Sequence, residues 1–406
     1  MSIKAIIVKI LPAFKGRNYR LHVWGQLISS SGTWLQNVTM GWYIWDLTHS
    51  ESLTALILAM PRCVSACLTI FGGIISDKFD KRAVLYVTNF LGMAQAMLLG
   101  YMVINNVSRI WIVILLSICL GLINAIDGPA RHSFLPEIVD RTEIRQTSSF
   151  NSAIGQSSQF VGSSLGAVLL GLIGTGWTFV LNGLSFMAVI IMLRMMKIDK
   201  KTEIRKDQNN YFRMFKEGVA YVARQPKIRW YLVLIGSLNF FGFSYRGILP
   251  VVVEQIFHSG AKNYAVLMAC AGIGALIGST LSSAKSKISL NFFVVCGSLI
   301  VGSALILFTL TSVFILGMSL MFAAGFGLTL SSSSVRGECQ EVMSSDMRGR
   351  VNGFVMMFAL GGTGLGGIVT GKLAELFGSQ LALIVSGVML IIIAIIVFVL
   401  DRLSKH

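Results

Sequence analysis

Charged residues are scarce in this sequence. Asp, Glu, Lys and Arg together make up 13% of its 406 residues, whereas soluble domains carry about 25%. Hydrophobic residues account for 54%, and the mean hydropathy is +0.73. This balance excludes an ordinary soluble protein and predicts a chain that crosses a membrane many times.

Acidic side chains are scarcer than basic ones. The sequence holds 18 Asp and Glu against 34 Lys and Arg, which gives a formal net charge of +16 at pH 7. In a soluble domain this excess would suggest nucleic acid, but membrane proteins concentrate Lys and Arg in their cytoplasmic loops. Because most of the basic residues flank the apolar runs on one side, we attribute the charge to membrane orientation. We expect no nucleic-acid partner.

The sequence also lacks the signatures of a metal site, a disulfide framework and a nucleotide site. Its cysteines lie in apolar runs or near a cytoplasmic end without metal-ligand spacing, which predicts free thiols. No glycine-rich loop carries the Lys and the Ser or Thr that hold a phosphate. We therefore predict no enzyme activity, no cofactor, no metal and no use of ATP. The six cysteines are Cys63, Cys67, Cys119, Cys270, Cys296 and Cys339.

Long apolar runs are what the sequence has in abundance. About 20 apolar residues in a helix cross the ~30 Å hydrocarbon core of a bilayer, and we find twelve such runs. The sequence therefore predicts an all-α membrane protein with twelve transmembrane helices. Predicted helices 1 to 12 cover about 19–46, 53–76, 83–105, 110–130, 147–173, 175–196, 228–257, 261–284, 289–311, 313–334, 347–374 and 378–401.

The longest polar stretch divides these helices into two sets of six. We predict an N-terminal interfacial segment at 1–18, a first six-helix bundle at 19–196, a cytoplasmic linker with an amphipathic helix at 197–227 and a second bundle at 228–406. Placing both termini in the cytoplasm puts most of the Lys and Arg on that side. The predicted location is thus the bacterial cytoplasmic (inner) membrane.

A short pattern occurs once in each set of helices. Pro136-Glu137-Ile138-Val139 precedes a helix with several glycines, and Gln340-Glu341-Val342-Met343 precedes another. The simplest interpretation is two pseudo-symmetric, parallel six-helix bundles. The glycines are Gly155, Gly162 and Gly166 in the first helix, and Gly361, Gly362, Gly364, Gly366 and Gly367 in the second.

Several motifs resemble those of the major facilitator superfamily of transporters, in particular the branch of the enterobactin exporter and macrolide efflux proteins. Asp80 stands where the general loop motif has glycine, and Ser163 stands where exporters by antiport carry the proline of a Gly-Pro motif. The matching residues are Gly73, Ile75, Ser76, Asp77, Lys78, Lys81 and Arg82 in the loop after predicted helix 2, with the stretches 31–36, 127–131, 135–139 and 216–226.

The resemblance implies a cytoplasmic latch between the two bundles. In the outward-facing state Asp77 would cap the N-terminal end of predicted helix 11, while Asp127 would pair with Lys81 or Arg82. The alternative is that these charges only fix the topology. In both cases we expect a close helix contact at the first glycine of the motif. The implied gating residues are Gly73, Asp77, Lys81, Arg82, Asp127 and Arg131.

Two arginines lie inside the predicted helices. Arg62 would lie ~14 Å from the outer side and Arg246 ~27 Å from the cytoplasmic side. A charge at that depth costs at least ~2.5–3.5 kcal/mol and therefore marks a functional position. With no carboxylate at comparable depth, the planar forks of these arginines predict an anionic substrate. The alternative is that each arginine donates to helix carbonyls or amides as a strut of an outer gate.

Polar side chains recur along predicted helices 1, 4 and 7. Lipid would not tolerate such a stripe, so we expect it to face a central cavity. The alternative for each residue is a hydrogen bond between helices. Trp42 and Trp45, near the outer boundary, are expected in the aromatic belt. The candidate substrate-binding residues are Thr33, Gln36, Asn37, Asn124, Asn239 and Phe243, together with Arg62 and Arg246.

No buried carboxylate in mid-membrane identifies a proton-coupling site. Glu254, Asp127 and His258 are the candidates, although histidines at a membrane edge are commonly only interfacial.

The leading hypothesis is a monomeric secondary transporter that exports a polar or anionic metabolite, a siderophore, by alternating access with proton antiport. Three alternatives stay open: an importer of such an anion, a broad-specificity drug exporter, and a non-transporting receptor or lipid-handling protein.

Overall fold

The described residues of this computed structural model form helices and no strand. They are 12–107, 109–139, 143–197, 211–283, 290–344 and 347–403. After a 3₁₀ turn at Pro12–Lys15 come α1 (Arg17–Thr48), α2 (Glu51–Lys78), α3 (Lys81–Ile104), α4 (Ile110–Ile138), α5 (Ile144–Met195), α6 (Tyr211–Arg224), α7 (Pro226–Gly242), α8 (Tyr245–Phe257), α9 (Ala261–Ser283), α10 (Leu290–Leu310), α11 (Phe314–Val342), α12 (Arg348–Phe377) and α13 (Ser379–Leu403).

The lengths of these helices suit repeated membrane crossings. Ten segments of the described chain are long and apolar enough to cross, and α7 and α8 together form one of them. Within α5 the chain reverses at Gly174, whose φ of 77° lies in the region that favours glycine. The 32-residue α1 is not among the ten, because its Gln, Ser, Thr and Asn residues lower its hydropathy. The helices are therefore compatible with twelve crossings.

The connections between helices define two faces of the molecule. The chain turns at His49–Ser50 between α1 and α2, and at Phe79–Asp80 between α2 and α3. We name the two ends of the helices the His49 face and the Asp80 face. At the second of these, Asp80 caps α3 by accepting the Arg82 backbone N–H at 3.0 Å.

The helices pack as two sets. In the first set α1 and α3 pack on α5, and α2 packs on α4. In the second set α9 and α10 pack on α11, α10 also packs on α13, and α7 packs on α12. Two long contacts join the sets, one between α2 and α12 and one between α5 and α9.

The α2–α12 contact is tightest near the His49 face. A Cβ at Gly371 would overlap Ala55, whereas one at Gly361 would lie 3.6 Å from Ala66 and one at Gly353 would meet nothing within 4 Å. Small residues let backbones approach closely in a membrane. The two sets are therefore closed against each other at the His49 face and separate toward the Asp80 face.

The amphipathic helix α6 packs on the second set at the Asp80 face. Glu217 pairs with Arg350 at 2.8 Å, and Tyr221 accepts the backbone N–H of Ser344 at 3.3 Å. These contacts join the linker helix to α12 and its N-terminal approach. The charged start of the linker, 198–210, and the N-terminal residues 1–11 lie outside the described residues.

Candidate functional site

A cavity of about 440 Å³, part of it open to solvent, lies between the two sets of helices. It brings together four of the residues that the sequence singled out, Arg62, Arg246, Asn37 and Phe243. The side chains of α1, α2, α8, α9 and α12 converge on it. The rest of its lining is Trp34, Ala55, Leu58, Ala59, Ser244, Gly247, Tyr264, Met268, Thr363 and Gly367.

A break between α7 and α8 shapes one wall of this cavity. The N–H of Phe243 closes α7 on the Asn239 carbonyl at 3.2 Å, and α8 starts two residues later. The Ser244 hydroxyl donates to the carbonyl of Phe241 at 2.9 Å. A short turn follows, in which the N–H of Arg246 donates to the Phe243 carbonyl at 3.3 Å. Side chains on both sides of the break thereby line the same cavity.

Arg246 is held among aromatic rings. Its guanidinium carbon lies 4.6 Å from the ring centroid of Phe243, 5.0 Å from that of Trp34 and 5.8 Å from that of Tyr245. Ring faces attract a cation, so these contacts position the group without neutralising its charge. Its Nε has no hydrogen-bond partner, and none of the described carboxylates forms an ion pair with it.

Arg62 is tethered to its own helix. Its Nη1 donates to the Leu58 carbonyl at 2.7 Å, as the alternative interpretation from sequence expected. One such bond leaves most of the five N–H donors of a guanidinium available. The cavity lining named above holds two guanidinium groups and no carboxylate. The site therefore carries a net positive charge, which suits an anion.

The remaining candidates from the polar stripe have other partners. Gln36 is buried and bonded within the first set, accepting from Asn182 at 2.5 Å and donating to Gln95 at 3.4 Å. Thr33 donates to the carbonyl of Ser29. Gln36 is thus bonded to side chains of the first set and Thr33 to its own helix, and neither lines the cavity, so their place in the substrate site stays a prediction.

Asn239 and Asn124 also lie apart from the cavity lining. Asn239 is buried, donates to the Ile235 carbonyl at 2.7 Å and accepts from Thr363 at 3.4 Å. Asn239 thus contacts Thr363, which lines the cavity, without lining the cavity itself. Asn124 is exposed on α4, one helical turn before Gly128, whose Cβ would lie 3.9 Å from Met356 of the second set.

The lining residues that the sequence prediction did not name include Trp34, Tyr264 and Thr363. Trp34 and Tyr264 are aromatic residues of membrane helices, and such residues pack against lipid or core far more often than against a ligand. A usable signal for Trp34 was its place three residues before Asn37, which puts both on one helical face.

Polar contacts close the two sets against each other at the His49 face. The indole N–H of Trp45 donates to the carboxylate of Glu254, and Gln255 donates to Glu51 at 3.1 Å. Ser379 donates to Gln255 at 2.5 Å. We name these residues the His49 latch. The expected place of Trp45 in the aromatic belt is wrong, because this side chain is 6% exposed and faces the other set.

His258 lies beside this latch without entering it. Its backbone ends α8 in the left-handed region at φ 46°, and its N–H donates to the Glu254 carbonyl at 3.1 Å. The side chain is exposed. Of the two proton-coupling candidates at this face, Glu254 alone bonds across the sets.

The basic residues of the signature loop bind within the first set at the Asp80 face. Lys81 pairs with Glu137 at 2.6 Å, and Arg82 donates to the carbonyls of Leu193 at 2.5 Å and Met196 at 3.2 Å. Arg82 thus satisfies the carbonyls at the end of α5, where the helix dipole favours a cation.

Asp127 has different partners from those expected. It accepts from Arg131 at 2.5 Å, from Thr88 at 2.8 Å and from Asn89 at 3.3 Å, and Arg131 also donates to Gln26. In this conformation Asp127 does not form the predicted pair with Lys81 or Arg82. The reason is helix register, since α3 and α4 run antiparallel and Asp127 is level with the second turn of α3 rather than with its start.

The close helix contact of the motif falls one residue earlier than predicted. A Cβ at Gly72 would overlap the Ala125 carbonyl of α4, whereas a Cβ at Gly73 would meet nothing within 4 Å. The expected contact at Gly73 is therefore absent in this conformation. The side chain of Asp77, the predicted cap of α12, lies outside the described residues.

The sequence profile of a family described as transmembrane secretion effector matches residues 11–405 of this chain. The chain belongs to that family of the major facilitator superfamily. The resemblance expected from the sequence is thereby confirmed, together with the all-α membrane fold. The protein is a multi-pass membrane transporter of small molecules and not an enzyme.

Curated relatives of this protein cover nearly its whole length. It is 22% identical to the staphyloferrin A transporter of Staphylococcus aureus (strain NCTC 8325 / PS 47), over 92% of this chain and 94% of that protein. It is also 22% identical to the enterobactin exporter EntS of Shigella boydii serotype 4 (strain Sb227), over 96% and 93% respectively.

Solved structures share the fold of this protein. A bacterial homolog of the human lysosomal transporter Spinster superposes with a TM-score of 0.75 at 14% identity, covering 95% of this chain and 97% of the other. A POT family transporter superposes with a TM-score of 0.77 at 10% identity, covering 96% and 97%. At these identities the likeness establishes the fold.

Proposed function

We propose that this transporter exports an anionic metabolite, a siderophore, from the cytoplasm of a bacterium. The observation that carries the proposal is the pair of guanidinium groups, Arg62 and Arg246, in one cavity whose lining holds no carboxylate. A cationic drug would be repelled there. The names of two relatives, a staphyloferrin A transporter and an enterobactin exporter, support a siderophore as the anion.

The orientation follows from the charges of the two faces. Lys78 ends α2 at the Asp80 face and Lys81 and Arg82 follow it, whereas the turn at His49–Ser50 carries no Lys or Arg. By the positive-inside rule the Asp80 face is cytoplasmic. We further propose a monomer of the inner membrane with both termini in the cytoplasm, whose bundles are 19–196 and 228–406, preceded by 1–18 and joined by 197–227.

In this orientation the described conformation is inward-facing. The His49 latch and the close α2–α12 contact shut the outer side, while the halves part toward the cytoplasm. An exporter loads its substrate in this state. Alternating access then requires the cytoplasmic ends to close, where Gly73, Asp77 and Arg131 are the proposed gating residues on the first bundle.

Proton antiport is the proposed driving force. Glu254 is the best-placed coupling candidate, because its carboxylate accepts a hydrogen bond across the two bundles. Asp127, held by Arg131 and Thr88, is the second candidate, and His258 is the third.

The test is a comparison of metabolites between the wild-type bacterium and a strain that lacks this transporter, both starved of iron. We expect an anionic chelator to fall in the medium of the deletant and to accumulate in its cytoplasm. Wild-type protein should restore export, Arg62→Gln and Arg246→Gln should not, and the exposed Arg229→Gln is the matched control.

Other results would overturn the proposal. Unchanged chelator in the medium, with poor growth on the supplied ferric chelate, would replace export by import. Broad sensitivity of the deletant to cationic dyes would replace it by drug efflux. Normal export by both cavity arginine variants, present in the membrane at wild-type amounts, would remove the site from the mechanism.

A further inference from the structure

The two positive charges of the cavity bear on the number of anionic groups in its ligand as well as on the sign of the ligand's charge. Arg62 belongs to α2 of the first bundle and Arg246 to α8 of the second, and both line one cavity. A ligand with two anionic groups can pair one group with each guanidinium and so compensate both charges. Uncompensated charge in a low-dielectric site is unfavourable. Two anionic groups on one ligand satisfy both.

The position of each guanidinium fixes where such groups bind. Rings of Trp34, Phe243 and Tyr245 surround Arg246, and the Leu58 carbonyl holds one end of Arg62. Each guanidinium therefore has only part of its N–H edge free to bind a ligand, and this part is its free edge. The edge of a guanidinium matches the two oxygens of a carboxylate, so each free edge is suited to one carboxylate.

The neutral lining describes the body of the ligand. Asn37 and Tyr264, which carry an amide and a phenolic hydroxyl, also line the cavity, which suits hydroxyl or amide groups on the ligand. Trp34, Phe243 and Met268 add apolar surface. A bare inorganic anion would leave this surface unused, whereas an organic acid would cover it.

We infer that the substrate is a polycarboxylate, with at least two carboxylates that bridge Arg62 of the first bundle and Arg246 of the second. This inference rests on the proposed export of an anionic metabolite and names its chemical class. Free catechols fit poorly, because phenolic hydroxyls with pKa values near 10 are uncharged at neutral pH. A bridging ligand also draws the two bundles together, so its binding favours closure of the cytoplasmic side.

Binding to the purified full-length protein tests the inference without any need for transport. Isothermal titration would compare citrate, acetate, catechol and inorganic phosphate. We expect citrate to bind about 10- to 100-fold more tightly than acetate or phosphate, since each charge-assisted hydrogen-bonded pair contributes that much. Catechol should not bind measurably.

Variants identify the groups responsible. Arg62→Gln and Arg246→Gln should each reduce citrate affinity to the level of acetate, and Arg229→Gln should leave it unchanged. Arg62→Lys and Arg246→Lys are the controls for misfolding. Because they keep the positive charge, their affinity for citrate should lie between that of the wild type and those of the Gln variants. Equal affinities for citrate and acetate, or for citrate and phosphate, would overturn the inference.

The two hypotheses fail in different ways. If citrate binds through both arginines but the deletant secretes a normal set of metabolites, the export proposal fails and the polycarboxylate site stands. If the deletant retains an anionic metabolite in its cytoplasm and citrate binds no better than acetate, the export proposal stands and the polycarboxylate inference fails.

Discussion

Trp45 of α1 and Glu254 of α8 are bonded across the two bundles, with the indole N–H donating to the carboxylate. The two residues are separated by more than 200 positions in the chain, and Trp45 is almost completely buried. A hydrogen bond to a charged acceptor contributes about 1.5–3 kcal/mol. It therefore favours the state in which the His49 face is closed.

Trp45→Phe should weaken this closed state. Phenylalanine keeps an aromatic ring but has no N–H, so Glu254 loses its donor. Loss of a hydrogen bond of ~1.5 kcal/mol lowers the ratio of the state with the His49 face closed to the state with that face open by at least tenfold. Hydrogen–deuterium exchange should become faster in the peptides around His49 and His258. The control is Trp24→Phe, since Trp24 lies on the same helix and is 58% exposed.

Equal exchange in Trp45→Phe and the wild type would show that the bond does not hold the His49 face closed. Glu254→Gln gives a second check. The amide carbonyl of Gln still accepts the indole N–H but carries no charge, so its exchange should fall between those of the wild type and Trp45→Phe.

Gly72→Ala should destabilise the first bundle, whereas Gly73→Ala should not. The added Cβ overlaps the Ala125 carbonyl in the first variant and meets open space in the second. Overpacking of this kind costs about 1–3 kcal/mol. Reversible unfolding in mixed micelles would measure it, and each variant is the control for the other. The same unfolding midpoint for both would place the close contact elsewhere.

Helix order and approximate position could be predicted from the sequence, because long apolar runs leave few alternatives. The place of Arg62 and Arg246 in the candidate site could be predicted, because a charged side chain within an apolar helix is costly and so indicates a functional position. Helix rotation could not be predicted from the polar stripe of α1. Gln36 and Asn37 are adjacent and about 100° apart around the helix, and only the second lines the cavity.

Contacts between helices were harder to predict than the helices themselves. The pairing of Lys81 with Glu137 depends on the register between α3 and α4, which no local pattern records. The same holds for Gly72 and Gly73, since a rotation of one residue decides which glycine faces α4. The bond between Trp45 and Glu254 joins residues from the two bundles, so it depends on the conformational state of the whole transporter.

The Lys81–Glu137 pair should show coupling that the predicted Lys81–Asp127 pair lacks. Lys81→Met, Glu137→Gln and their combination form a double-mutant cycle, with unfolding in mixed micelles as the measurement. The expected coupling is about 1 kcal/mol, because the two side chains are largely shielded from solvent. The matched cycle with Asp127→Asn should be additive within about 0.5 kcal/mol. Larger coupling to Asp127 than to Glu137 would contradict the observed register.

Gln36→Ala and Asn37→Ala should have opposite consequences although the residues are neighbours. Removal of the Gln36 amide leaves the buried Asn182 donor without its acceptor, which costs about 1–3 kcal/mol of stability. Asn37 lines the cavity, so its loss should leave the unfolding midpoint unchanged and lower the rate of export at equal membrane abundance. Unfolding titrations and export assays on both variants provide the check. Stability loss in Asn37→Ala with normal export would assign Asn37 to the helix packing and remove it from the site.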